Sequence, residues 1–145
     1  MISIELNQSR LKGGMCLPKT ILDRTCKHVA KYLSLKQPRR ISVAFVSEKE
    51  MRKWNLHYRG IDRVTDVLSF TFDEQDVYGE ILLSYEQAKR QAKMLKHSVR
   101  EELVFLLVHG LLHVFGYDHV RPTDAKKMFP LQTKILTSLD VDPHI

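Results

Sequence analysis

A chain of 145 residues with 43% hydrophobic and 28% charged side chains has the size and make-up of one globular domain that can bury a core without disulfides. No apolar run reaches the roughly 18–20 residues needed to cross a bilayer. The start, MISIELNQSR, also lacks the basic region, long apolar core and cleavage site of a signal peptide. The expected compartment is therefore the cytoplasm, with no membrane partner. With 23 Lys and Arg against 17 Asp and Glu, the formal charge is +6, a balance that suits polyanions such as RNA.

ISIELN alternates apolar and polar residues, which predicts a first strand over 1–7. PKTILDRTCKHVAKYL opens on Pro18 and spaces Ile21, Leu22, Thr25, Val29 and Leu33 along one helical face. ISVAFV, residues 41–46, is rich enough in β-branched and aromatic side chains for a second strand. Three Ser-x-x-Glu/Gln capping boxes follow. Ser47 with Glu50 opens a helix over about 48–57, and Ser84 with Gln87 opens one over about 85–95. Ser98 with Glu101 opens a strongly apolar helix that runs into a group of histidines. Between the first two boxes, DVLSFTF and VYGEILLS predict two strands joined by the acidic tip DEQD, residues 73–76. In PTDAKKMFPLQTKILTSL, Pro130 should kink the helix or split it. The order β-α-β-α-β-β-α-α-α predicts an α/β (α+β) fold. It would have a mixed four-stranded sheet packed with about five helices, in a single domain over 1–145. Cys16 and Cys26 lack zinc-knuckle spacing, and with no sign of export they are expected as free thiols.

HGLLHVFGYDH, residues 109–119, holds three of the chain's seven histidines. His109 and His113 are four apart, so a helix places both rings on one face, one turn apart. Gly116 permits the positive φ that ends a helix and can return His119 toward the pair. Three neutral imidazoles leave the fourth position of a tetrahedral ion open to water, as in a catalytic rather than a structural zinc site. A lone histidine at a helix C-terminus is more often there for the helix dipole. Three at this spacing, with a glycine between the second and third, are not explained that way. The spacing matches the zincin pattern H-E-x-x-H-x-x-G-x-x-H except at Gly110, where the peptidases carry the glutamate that acts as general base. Peptide hydrolysis is therefore not expected.

The same stretch resembles the hallmark H-G-x-L-H-L-x-G-Y-D-H of the YbeY family of metal-dependent rRNA-maturation endoribonucleases, differing only at Val114. NLHYRGIDRVTDVLSF, residues 55–70, resembles a second family block, N-x-x-Y-R followed by T-D-V-L-S-F. GEILLS and MFPLQTKIL are weaker echoes, and Glu80 and Pro130 are departures within them. The first forty residues match in pattern only. The resemblance implies a single-strand-specific endoribonuclease that matures ribosomal RNA, especially the 3′ end of the small-subunit rRNA, and takes part in ribosome quality control. It implies the small subunit and its associated proteins as partners, with no DNA expected. By matched position it implies His109, His113 and His119 as metal ligands and Arg59 as the pocket arginine, with Arg59 and His113 assigned to catalysis.

The implied cofactor is one divalent transition metal ion, with zinc the first choice, although three imidazoles also suit nickel, copper or iron. Such an ion acts as a Lewis acid and lowers the pKa of bound water toward ~7, so a separate glutamate base is not required. Arg59 can hold two phosphate oxygens at once; otherwise it is a solvated charge just after a helix. Asp118 is either a partner fixing an imidazole tautomer or a turn residue bonding its own backbone. Asp66 and Ser69 either line a cleft at a strand edge or are a turn residue and a strand hydroxyl. Tyr117 either stacks on a base or packs over the helix end. His28, His57, His97 and His144 lack ligand spacing and are expected at the surface. Two other functions compete. One is a zincin-derived peptidase or amidase. The other is a non-catalytic, zinc-stabilised ribosome-binding factor in which Cys16 or an acid closes the fourth position.

Overall fold

The computed structural model describes residues 1–72 and 76–143. Most of the acidic tip, Asp73, Glu74 and Gln75, and the last two residues, His144 and Ile145, lie outside the described residues. Strand β1 (Ile2–Asn7) is joined through helix α1 (Lys19–Tyr32) to a parallel neighbour, β2 (Arg39–Phe45). After α2 (Glu48–Arg59) come β3 (Val67–Thr71) and β4 (Gly79–Leu83). β4 pairs with β2 in parallel and with β3 antiparallel, giving the order β1-β2-β4-β3. With helices α3 (Tyr85–Leu95), α4 (Val99–Val114) and α5 (Pro122–Ser138), the described residues form a mixed four-stranded sheet with five α-helices, as the sequence predicts. A 3-10 turn at Gly13–Met15 precedes α1, and no sequence pattern signals it. Among the described residues, no helix is long and apolar enough to cross a membrane.

Strand alternation divides the sheet's side chains between two layers. Ile41, Val43, Phe45, Ile81 and Leu83 enter the main core with residues of α1, α4 and α5. Leu68 and Leu82 meet Met51 of α2 in a smaller cluster. The edge strand β3 therefore sends Leu68 and Phe70 toward α2, while Ser69 and Thr71 face α4. α4 is buried on nearly every side, and Leu103, Leu106, Leu107, Leu111 and Leu112 are each at most 1% exposed. Burial of each such leucine contributes ~1.5–3 kcal/mol. This anchoring fixes the helix end that carries His109 and His113.

The helix boundaries largely follow their caps. Ser47 and Glu50 bond reciprocally, as do Ser98 and Glu101. Ser84 accepts from the Gln87 backbone N–H at 3.2 Å, but that box is only half made. The Gln87 amide is engaged by Gln91 and Arg90 instead. α5 is a single unbroken helix. Pro130 does not split it, because Pro130 and Lys126, the residue whose carbonyl loses its partner, both lie on the exposed side. His57 is exposed as expected, but His97 is not. Its side chain is 8% exposed and its Nε2 lies 2.8 Å from the fully buried carboxylate of Glu102. His28 is partly buried, with its Nδ1 2.8 Å from the Ser138 hydroxyl. Cys16 and Cys26 are both free.

Candidate metal centre

His109 and His113 project from the last turns of α4, and the way that helix ends brings His119 to them. Phe115 caps it and Gly116 takes φ +97°. The Gly116 N–H donates to the His113 carbonyl at 3.0 Å, and the Tyr117 N–H to the Leu112 carbonyl at 2.9 Å. This is the paired bonding of a glycine-terminated helix. It reverses the chain within three residues. Asp118 then accepts from the backbone N–H of His119 at 2.7 Å and of Val120 at 3.4 Å. It is thus the turn residue, and these amides hold its carboxyl below the usual range. The ring centroids stand 4.6 Å (His109–His113), 5.3 Å (His109–His119) and 5.1 Å (His113–His119) apart.

The donor set fits a divalent transition metal. Imidazole nitrogens bound at ~2.0–2.1 Å to a tetrahedral ion lie roughly 3.3 Å from one another. The Nε2 atoms of His109 and His113 are 3.1 Å apart, and one ring nitrogen from each of the three residues falls within a 4.8 Å group. Among the described residues, no other cluster of His, Cys, Asp or Glu is so placed. Cys16 is not part of this group, and its thiol donates to the Leu11 carbonyl at 3.8 Å. Burial, reinforced by His109 and His119, lowers the His113 pKa to about 4. Burial also lowers His109, more than its bond to Gln132 and the nearby Asp66 raise it. Both rings are therefore neutral near pH 7, the form that ligates.

Two residues of α5 support the cluster, and sequence reasoning missed both. Gln132 is fully buried and its Oε1 lies 2.7 Å from Nδ1 of His109. An Nδ1–H donating there leaves the Nε2 lone pair facing His113 and His119. Phe129 stacks on His119 with centroids 5.5 Å apart. Their only signal in the sequence is the shared block MFPLQTKIL, which places them three apart on one helix. Asn55 was missed as well. It is buried in α2, and its Nδ2 donates to the Arg63 carbonyl at 2.9 Å, tying the connection that leads into β3 to the helix.

The histidines open onto a cleft of about 820 Å³ whose walls include Arg59, Asp66, Ser69, Asp118 and Phe129. Arg59 is the last residue of α2 rather than a residue beyond it, and Gly60 ends the helix with φ +71°. Arg52 is tied to Asp62 at 2.7 and 3.1 Å. Arg59 has no such carboxylate among the described residues. Asp66 is both a turn residue and part of the wall. Its Oδ1 accepts from the Val67 N–H at 2.8 Å, and its carbonyl from the Ser84 N–H at 3.0 Å. Ser69 faces Gly110, where a Cβ would come within 3.2 Å of the Ser69 Oγ and 3.1 Å of Ile81. A side chain at the position where a zincin carries its glutamate would thus press on Ser69 and Ile81, which would have to give by a few tenths of an ångström. Glu80 bonds Ser42 at 3.4 Å and lies outside the cleft walls.

These features coincide with clear relationships to known proteins. The family model described as Endoribonuclease YbeY matches residues 5–140. A protein of that name from Shouchella clausii is 39% identical over 95% of both chains. One from Limosilactobacillus reuteri is 42% identical over 76% of this chain and 80% of its own. The solution structure of a Thermotoga maritima protein matches with a TM-score of 0.63 at 33% identity, covering 94% of this chain and 87% of that one. Agreement in sequence over nearly the whole length, on a shared fold, makes the chain a member of the YbeY family.

Proposed function

We propose that residues 1–145 form a single YbeY-like domain. It is a metal-dependent endoribonuclease that hydrolyses phosphodiester bonds in single-stranded RNA. Its biological substrate is ribosomal RNA, at the 3′ end of the small-subunit rRNA, in the cytoplasm. Its partners are the small subunit and associated proteins, and its action contributes to ribosome quality control. The observation that carries the reading is that three converging imidazoles and an arginine with no carboxylate partner among the described residues share one cleft.

His109, His113 and His119 would hold the ion, for which zinc is the first choice on donor type and geometry. Such an ion supplies Lewis acidity toward a phosphoryl oxygen and acidifies water. The chain's residues supply the rest. Gln132 fixes the tautomer of His109. Arg59 takes two non-bridging oxygens of the scissile phosphate through its planar fork and offsets charge as it builds on phosphorus. Asp66 and Ser69 line the same cleft, where Ser69 can donate a hydrogen bond to the substrate. Asp118 holds the turn that presents His119. Gly110, in place of the zincin glutamate, tells against a peptidase. Paired substrates provide the test: a single-stranded RNA and its duplex at matched salt. The unpaired strand should be cut at least tenfold faster, because only its backbone can bend into the cleft. Equal cleavage of both would contradict the single-strand reading.

A further inference from the structure

Beside the cleft lies a group of aromatic rings that the chemistry above does not use. Trp54 and Tyr58 are one turn apart on α2, with centroids 5.6 Å apart and planes inclined by 24°. His57 meets the Tyr58 ring edge-on at 4.6 Å. Phe70 of β3 lies 4.8 Å from Tyr58, with its plane tilted by 57°. Trp54 and Phe70 pack against the small cluster around Met51, whereas Tyr58 is 56% exposed. Its neighbours therefore hold the ring in place without covering it. Tyr58 and Phe70 line the same cleft as His109, His113 and Arg59, and Tyr58 precedes Arg59 directly in the chain. Lys53 sits 5.5 Å over the Trp54 ring and adds positive charge at this end of the array.

We infer that the Trp54–Tyr58–Phe70 ledge is a stacking subsite for an unpaired nucleobase next to the scissile phosphate. This inference rests on the ribonuclease reading above. Aromatic rings beside cationic side chains are the usual means of holding single-stranded nucleic acid, since every base offers a π-face and every phosphate a charge. With Arg59 on the phosphate, a neighbouring base can swing onto Tyr58. A base held inside a duplex cannot. The ledge therefore accounts for a preference for unpaired RNA with little dependence on base identity.

The test compares wild type, Tyr58→Phe and Tyr58→Ala in the cleavage of a labelled single-stranded RNA decamer. A parallel set of decamers each lacks one base. Tyr58→Phe should keep the wild-type KM, because stacking needs the ring and not the hydroxyl. Tyr58→Ala should raise KM by about tenfold or more, the size expected for one base–aromatic stack. At one position beside the cut, removing the base should raise the wild-type KM by the same factor, and there Tyr58→Ala should add nothing further. Trp54, the chain's single tryptophan, gives an independent binding signal, and its emission should change on mixing with RNA. An unchanged KM in Tyr58→Ala, or additive effects of that variant and every missing base, would overturn the subsite and leave the nuclease standing. A wild-type protein that neither binds nor cuts RNA would overturn both.

Discussion

Two residues test the site one side chain at a time. Arg59→Ala should keep its metal and its fold, because the side chain is exposed, and lose roughly a hundredfold in cleavage rate at saturating RNA. Arg59→Lys should recover only part of that, since lysine keeps the charge and loses the fork. Wild-type rates in Arg59→Ala would make it a solvated arginine. Gln132 raises a different question, because its Nε2 is buried with no hydrogen-bond partner among the described residues. A donor left that way costs ~1–3 kcal/mol, and the compensating gain is the orientation of His109. Gln132→Leu should therefore unfold no more easily than wild type by more than about 1 kcal/mol. It should bind zinc ~10–100-fold more weakly, by competition with a chelating indicator. Unchanged zinc affinity would leave Gln132 as core packing. The three histidines were legible in sequence because the helical period and one glycine fix their relation within eleven residues. Gln132, Phe129 and Asn55 were not, because each reaches its partner by packing between elements or across a loop.

At the scale of elements, α4 is fixed from both sides. Gly110 lets it approach β3 and β4 closely. Glu102 ties it to α3 and the turn that follows, accepting from Gln91 at 2.7 Å and lying 2.8 Å from His97. Glu102→Ala removes the buried acceptor of these partly buried groups, so it should destabilise the protein by about 3 kcal/mol in urea unfolding. A change within ~0.5 kcal/mol, the range of ordinary surface substitutions, would show that the network is not structural. Sequence patterning identified every strand and α-helix, because alternation and Ser caps are local signals. It placed the end of α2 two residues early, since the exposed His57, Tyr58 and Arg59 carry no apolar period, and the stop comes from Gly60 instead. It expected Pro130 to kink or split the last helix, and the exposed position of Pro130 lets the helix continue without a split. His97 read as a surface residue because its burial depends on Glu102, a partner on the next helix that sequence spacing does not reveal.

For the molecule as a whole, the metal site couples stability to pH. The folded metal-free protein holds His113 at about 4, against an ordinary value of 6.5, and His109 shifts in the same direction. The unfolded chain therefore takes up protons first as pH falls. The contribution of these rings is complete above about pH 6.5 and is lost progressively toward pH 4. The urea midpoint of metal-free protein should fall across that window, and more gently in His113→Leu. Equal slopes would show that other groups govern the acid transition. The net charge of +6 adds a separate expectation, that RNA binding weakens steeply with salt.

The most direct measurement is the rate of single-stranded RNA cleavage by the same protein before chelation, after chelation and after restoring zinc, with metal content determined on each sample. The rate should fall to background as metal drops below one ion per chain and return with about one equivalent of zinc. A full wild-type rate with less than roughly a tenth of an equivalent of any transition metal bound would contradict a three-histidine catalytic centre.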